Sequence, residues 1–321
     1  MNILLLGATG FVGSATLKIL LKINNVNITC TTRKNQDNNS SINWVKVDLL
    51  NDNEKLKKLL LKSDIVINCV GEVKLEKLMN NMNYQLVSKI VDLLLTKINH
   101  THFIQLSSVG CYGAIQKYDK KVVITEDSPE NPLNTYEVSK TLADNYIRGN
   151  ISNKTANVSF TIVRPTNIFG EEMKSDVLRN LSQMVKKNLF FFIGNKKSIS
   201  NYVHVDDVAE LIFLCIECDN KSKNRVFIVS DDLPQVRMIS LFQNYYQVKR
   251  LDYCIPKAFV EMASSIVSIF FSNFPLSRSA IDSLTSRVEF SNNRARKTLN
   301  FYPKHSMNKT IEKILYCWDS K

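Results

Sequence analysis

Histidine, tryptophan, proline and glycine are all sparse in this 321-residue chain, with four, two, seven and nine copies. The four histidines have no ligand pattern, which argues against a bound metal. Seven cysteines, odd in number and scattered, fit reduced thiols in a cytoplasm better than a disulfide framework or a zinc site. Met1 to Leu6 has no basic stretch ahead of its apolar residues, so no signal peptide is expected. The most apolar late stretch, Ile255 to Phe274, is broken by Pro256, Glu261 and serines and makes a poor membrane span. A basic helix interleaved with stacking aromatics is also missing. The net charge of +12 comes largely from dispersed lysines such as Lys55, Lys57, Lys58 and Lys62. It reads as a solvated surface that attracts an anionic substrate, with no nucleic-acid partner. With 44% hydrophobic and 22% charged residues, the remainder is ordinary for a globular protein able to bury a full core.

Three of the nine glycines fall in Gly7-Ala8-Thr9-Gly10-Phe11-Val12-Gly13, directly after Ile3-Leu4-Leu5-Leu6. Four apolar residues running into glycine read as a buried strand entering a tight turn. From Ser14 to Lys22 the spacing becomes helical, with Ala15, Leu17, Leu20 and Leu21 turned toward a sheet. A strand, a glycine turn and a helix suit the pyrophosphate of a dinucleotide. Glycine lets the backbone approach the phosphates, and first-turn N–H groups face their charge. The spacing is Gly-x-x-Gly-x-x-Gly, not the commoner Gly-x-Gly-x-x-Gly, so a plain turn is the competing reading.

Val26 to Thr32 reads as a second strand ending at Thr31-Thr32-Arg33-Lys34. In a strand–helix–strand unit that end lies beside the adenosine ribose, where an acid suits the 2′-hydroxyl of NAD and a base the 2′-phosphate of NADP. Arg33 and Lys34 therefore favour NADP(H) over NAD(H), unless they are only surface charge. Trp44 to Val47 is a third strand, and Asp48, followed by Leu49, could bond the adenine amine. Lys55 to Leu61 is an amphipathic helix. Ile65 to Val70 is a buried parallel strand ending at Gly71, where a small residue lets a cofactor pass. A long helix from Asn80 to Thr96 and a strand from Phe103 to Leu106 follow. This alternation predicts an α/β fold with a doubly wound parallel sheet.

The strand from Phe103 runs into Ser107-Ser108-Val109-Gly110-Cys111-Tyr112-Gly113, at the carboxyl edge where such sheets carry their chemistry. Further on, a helix begins Tyr136-Glu137-Val138-Ser139-Lys140. Tyr136 and Lys140 stand four apart and share a helical face. A nearby ammonium would stabilise tyrosinate and lower the phenol pKa, making Tyr136 a working acid near neutral pH. Ser108 could hold the reacting oxygen. On its own, Tyr-x-x-x-Lys is ordinary helix decoration.

In order and spacing, Gly7 to Gly13, Asp48, Asn83, Ser108, Tyr136 and Lys140 resemble the extended short-chain dehydrogenase/reductase family, the NAD-dependent epimerase/dehydratase family, in its sugar-nucleotide branch. The likeness continues through Val163 to Gly170, Tyr202 to Ala209, Leu284 to Arg287 and Asn293 to Leu299. It implies a Rossmann-type sheet with a smaller C-terminal α/β lobe. Residues 1–170 would form the core with the catalytic residues, and 171–321 mainly the substrate lobe, with about 200–230 returning to the core. By the same resemblance Ser108, Tyr136 and Lys140 are catalytic. The cofactor would touch Gly7, Thr9, Gly10, Phe11, Val12, Gly13, Arg33, Lys34, Asp48, Leu49, Val70, Gly71, Lys140 and Pro165. A nucleotide-diphosphate sugar would touch Ser108, Asn167, Phe191 and Phe192. The expected activity is NADP(H)-dependent reduction of the 4-keto group of a nucleotide-diphosphate 6-deoxysugar. A nucleotide-sugar 4-epimerase is the alternative, ahead of a reductase for another ketone and a non-catalytic nucleotide-binding protein. A cytoplasmic homodimer is expected, paired through Asn80 to Thr96 and Tyr136 to Ile147, without membrane contact.

Several positions depart from the family's patterns. Val109 and Gly110 stand where 4,6-dehydratases carry Asp-Glu. Gly110 and Glu171-Glu172 stand where reductases that also epimerise C3 and C5 carry Cys and His. Cys111 is one place off, and on an extended strand would face away. Ser200 replaces an arginine that grips the diphosphate in many relatives, leaving Lys196, Lys197 or Arg237 to substitute. The Leu189 to Gly194 run is either the wall of the base pocket or plain core. Ile255 to Phe274 is expected as a lobe helix on the substrate cleft, with an interfacial membrane helix as the sharper alternative.

Overall fold

The computed structural model describes residues 1–38, 41–113, 120–151, 157–173, 176–249, 253–270 and 278–320, with the side chains of 264–280 and 283 outside the description. Its main sheet has seven strands: β1 (Asn2–Leu6), β2 (Asn27–Thr32), β3 (Ile42–Lys46), β4 (Ile65–Asn68), β5 (Thr101–Leu106), β6 (Val158–Pro165) and β7 (Arg225–Val229). They lie in the order β3-β2-β1-β4-β5-β6-β7, and every pairing is parallel.

Burial on both faces explains the continuous apolar runs. β1 sends Ile3 and Leu5 into one core cluster and Leu4 and Leu6 into the other, following the two-residue period of a strand. On the first face lie α1 (Phe11–Leu20) and a later helix, Val205–Glu217, which contribute Leu20, Leu211 and Ile212. The second face is covered by α2 (Asn53–Leu61), α3 (Leu86–Leu95) and α4 (Thr135–Asn150), through Leu56, Leu60, Ile90, Leu94, Ala143 and Ile147. Each such side chain removed fully from water contributes about 1.5–3 kcal/mol. β1 has β2 on one side and β4 on the other, so the strand order reverses between β1 and β4. The crevice at their carboxyl ends is where open α/β sheets bind ligands.

The expected Asn80 to Thr96 helix is interrupted. A short helix, Glu76–Met79, passes into a π-helical turn, Asn80–Gln85, before α3 begins. The smaller C-terminal part packs α5 (Val177–Lys186), α7 (Gln235–Tyr246) and α8 (Met307–Asp319) around Phe169, Phe192, Phe242 and Trp318. The Val205–Glu217 helix, α6, starts on His204, whose ring nitrogen accepts from the Asp206 N–H at 3.2 Å. Asp207, fully buried, accepts from the N–H groups of Lys304 and His305 and so ties the C-terminal segment to the sheet.

Contrary to the expected scatter, Cys215 and Cys218 form a Cys-x-x-Cys pair at the end of α6. Both are free thiols, and burial pushes the Cys215 thiol upward, away from thiolate chemistry. Lys257–Phe270 is helical, while the rest of the stretch expected to run to Phe274 lies outside the described residues. Among the described residues no helix is long and apolar enough to cross a membrane.

Candidate active site

At the carboxyl end of β1 the chain turns through Gly7 at φ +80°, in the left-handed region that favours glycine. The turn closes with a hydrogen bond from Gly10 N–H to Gly7 C=O at 2.9 Å. Gly13, in the first turns of α1, packs directly on that carbonyl: a methyl there would lie 2.0 Å from the Gly7 oxygen. α1 begins on Gly10 with no side-chain cap and no acidic residue in its first turn. Such an N-terminus suits an anion, and the glycines leave the room a pyrophosphate would fill. Thr9 is exposed here and Val12 buried. The Phe11 ring reaches Gly170, where a methyl would lie 3.2 Å from a ring carbon.

Arg33 and Lys34 are exposed at the end of β2. The Glu72 carboxyl is held below its usual range by backbone N–H groups, the Lys74 N–H first, with a smaller pull from Arg33. Asp48 has turned its carboxylate into its own turn. It accepts from Leu50 N–H at 3.0 Å, Asn51 N–H at 3.3 Å and the Asn51 amide at 2.8 Å, which shapes the bend carrying Leu49. Lys89 of α3 secures that bend from the other side, donating to Leu50 C=O at 2.7 Å.

At the carboxyl ends of β4 and β5 the remaining residues converge. Gly71 lies beside Lys140, so that a methyl on it would be 3.1 Å from the Nζ atom; Val70 packs against Gly7. Asn83, from the π-helical turn, is buried and pins this loop. Its amide donates to Glu72 C=O at 3.0 Å and the Ser139 hydroxyl at 3.1 Å, and its oxygen accepts from Glu72 N–H at 2.8 Å. α4 is started by Asn134, whose side chain accepts from Glu137 N–H at 3.0 Å, while Glu137 accepts from Leu133 N–H at 2.8 Å. This is close to a capping box, and it sets Tyr136 in the first turn.

Ser108 accepts from Gly110 N–H at 3.0 Å and lies near enough to the Tyr136 phenol to favour its ionised form. Lys140 is buried and donates to Leu106 C=O at 3.0 Å. The expected lowering of the tyrosine pKa by the lysine is not what the site produces. Burial pushes the Tyr136 phenol up, and the nearby Ser108 hydroxyl offsets this only in part. It is Lys140 that titrates early, its pKa pulled down by burial to about 8.

Behind this group lies a buried network that the sequence reasoning missed. Asp144, one turn beyond Lys140, accepts from the Ser107 hydroxyl at 2.8 Å and from Arg164 Nε at 2.9 Å. Arg164, fully buried, also donates to the Tyr112 hydroxyl at 2.9 Å and to Glu130 at 2.6 Å. The one local clue is the four-residue step from Lys140 to Asp144, an acid on the same helical face.

On the substrate side, Pro165 is buried at the end of β6. Asn167 is exposed, its amide donating to Asn201 C=O at 3.1 Å, in a short strand pair with Tyr202–His204. Phe192 is 2% exposed and meets Phe190 edge-to-face at 5.0 Å, so its ring belongs to the lobe core; Phe191 is half-buried against the cluster of Ile193, Val260 and Ile281. Ser200 is buried in a short strand, and Arg237 points onto Asn308 at 2.9 Å. Cys111 does not sit on an extended strand. Val109–Tyr112 is a 3₁₀ turn capped by Ser108, in which Cys111 is buried with its thiol pushed up to about 12.

The family model described as "NAD dependent epimerase/dehydratase family" matches residues 3–230. The chain belongs to that family. A curated relative, the N-acetyl-α-D-glucosaminyl-diphospho-ditrans,octacis-undecaprenol 4-epimerase of Escherichia coli O157:H7, is 28% identical over 218 residues, 66% of this chain and 62% of that protein. Among solved structures, UDP-glucuronic acid 4-epimerase from Bacillus cereus, crystallised with UDP-glucuronic acid and NAD, superposes with a TM-score of 0.74 at 17% identity, covering 100% of both chains. UDP-glucose 4-epimerase from Thermotoga maritima, with UDP-glucose, gives 0.74 at 16% identity, covering 100% of this chain and 99% of that one. Within the NAD-dependent epimerase/dehydratase family, this chain brings Ser108, Tyr136, Lys140 and the glycine cradle to one sheet edge, and it has Val109 and Gly110 after the serine.

Proposed function

We propose that the chain epimerises C4 of a sugar carried on a diphosphate, using a nicotinamide dinucleotide held over the Gly7–Gly13 turn. The observation that carries this reading is the placement of Ser108 beside the Tyr136 phenol, one helical turn from buried Lys140, with no acid–base pair following Ser108. C4 epimerisation needs one proton carrier at O4 and nothing more from the protein. Two further acid–base groups, as C3/C5 epimerisation or dehydration would need, are missing at Val109, Gly110 and Cys111. The relatives named 4-epimerases support the same choice.

Tyr136 would take the O4 proton as hydride leaves C4, and would give it back to O4 when hydride returns to the opposite face of the C4 carbonyl. The bound nicotinamide supplies the hydride acceptor and donor. Ser108 would give the sugar oxygen a second hydrogen bond, and Lys140, buried beside Gly71, would hold the nicotinamide ribose. The carrier remains open to two chemistries that share a diphosphate, a nucleoside and a polyprenol, as in the relatives above. In this reading residues 1–170 with about 200–230 serve the cofactor, and the rest of 171–321 serves the sugar carrier. Val138 and Leu142, exposed one turn apart on α4, with Leu75 and Leu78 exposed beside them, support pairing of two chains.

A second reading, reduction of a 4-keto sugar, is favoured by the exposed Arg33 and Lys34, which suit NADP(H). The deciding experiment supplies cofactor and a panel of diphosphate-linked hexoses and follows C4 configuration by NMR. Interconversion of C4 epimers without net change in nicotinamide absorbance is expected, falling about 10²–10⁴-fold in Tyr136→Phe. Stoichiometric oxidation of NADPH with a single C4 product would replace epimerisation by reduction.

A further inference from the structure

The Lys257–Phe270 helix is held to the lobe by Val260, 6% exposed in a cluster with Ile193 and Ile281. Among the described side chains on its other side, Phe259 is 64% exposed and Met262 53%. The two stand three apart, hence side by side on one helical face. Tyr253, just before the helix, is 66% exposed, and the short strand Cys254–Ile255 lies parallel to Phe192–Ile193. That pairing leads into the loop carrying Lys196 and Lys197, both exposed, with Gly194 packed close to Lys257. Lys249, also exposed, precedes Tyr253 in the chain. Among the described residues of this helix and its neighbour, Glu261 and Asp282 are matched by Lys257, at 3.6 Å and 3.0 Å. After Glu261 the helix carries no further charge, and the whole chain has a net charge of +12.

We propose that this face docks the protein on an anionic lipid bilayer. Exposed Phe and Met on an anchored helix, with an exposed Tyr just before it and exposed lysines on adjoining segments, have the composition of an interfacial element, in which apolar side chains enter the headgroup boundary and the cations meet anionic lipid. The helix lies on the surface and does not span. Docking would bring the candidate site to sugars whose diphosphate is anchored in the membrane, and that consequence rests on the C4 reading, whereas docking itself does not.

The test uses the full chain, without sugar or cofactor, and vesicles of equal phosphatidylglycerol and phosphatidylcholine, compared with phosphatidylcholine alone. Cosedimentation with the anionic vesicles, weakened by high salt, is expected. It falls about tenfold or more in Phe259→Asp/Met262→Asp. Phe259→Ser/Met262→Ser follows in the same direction, and both variants keep the wild-type melting temperature. Absence of wild-type binding to anionic vesicles overturns the proposal. So does equal binding by the variants, or a change from dimer to monomer on substitution, which would mean that a second copy covers the face. Loss of C4 activity in Tyr136→Phe with vesicle binding intact bears on the chemistry alone, so the two readings fail separately.

Discussion

Adding one methyl group at Gly13 tests the cradle directly. The new carbon would sit 2.0 Å from the Gly7 carbonyl oxygen, 2.8 Å from the carbonyl carbon and 3.0 Å from the Ala8 Cα, all of them backbone. No side chain can swing aside to relieve this. The Gly7 carbonyl would have to retreat about 1.4 Å to reach the 3.4 Å of ordinary contact, and Gly10, hydrogen-bonded to it, would follow. Two effects oppose each other. Alanine is favoured over glycine inside a helix by up to about 1 kcal/mol, whereas overpacking costs about 1–3 kcal/mol. The steric term should win, because the contact is so short and the obstacle is main chain. Gly149, in the last turn of α4 with nothing within 4 Å of an added Cβ, isolates the helical term. Thermal melting of both variants, with titration of NAD(H) and NADP(H), separates the effects. Gly149→Ala should melt about 1–2 °C higher than wild type. Gly13→Ala should melt several degrees lower and bind either dinucleotide about tenfold or more weakly. A Gly13→Ala protein that melts at or above wild type and binds dinucleotide normally would refute both the packing argument and the cradle.

Asp144→Asn leaves the fully buried Arg164 without its one fully buried counter-charge, Glu130 being partly exposed, and breaking a buried pair costs about 3–5 kcal/mol. Urea unfolding should show a loss of this order, and a loss below about 1 kcal/mol would mean that Glu130 alone compensates. Lys140 has its pKa drawn from 10.5 down to about 8 by burial. Between those values the unfolded chain holds a proton that the folded chain sheds, so this group's contribution to stability rises with pH across that window; below about pH 8 the full cost of the buried charge is present. Wild type should therefore gain on Lys140→Met between about pH 8 and 10 in urea titrations, and a gap independent of pH would contradict the assignment. Arg33→Ala should weaken NADP(H) about tenfold more than NAD(H), through loss of a charge-assisted contact to the 2′-phosphate. Equal loss for both would make Arg33 surface charge.

What the sequence determined by itself is local. Ile3 to Leu6 followed by Gly7 dictates a strand and a turn, because alternating burial of four apolar residues needs a two-sided core and only the glycines leave room at the turn. Tyr136 and Lys140 share a face because their spacing is one helical turn, wherever the helix packs. Other features depend on elements brought together from distant parts of the chain. Asp144 meets Arg164 across 20 residues and Ser107 across 37, and Asn83 reaches Ser139 across 56. No periodicity encodes those contacts. Packing alone sent Phe192 into the lobe core and left Phe259 outside, although both read simply as apolar. Packing also reversed the expected pKa of Tyr136, since the ammonium that was to lower it donates to Leu106 C=O while burial raises the phenol. Spacing along a helix is a one-dimensional property, whereas burial and electrostatic environment belong to the assembled fold. The sequence alone could therefore name the candidate groups, and only the tertiary structure could say in what state they stand.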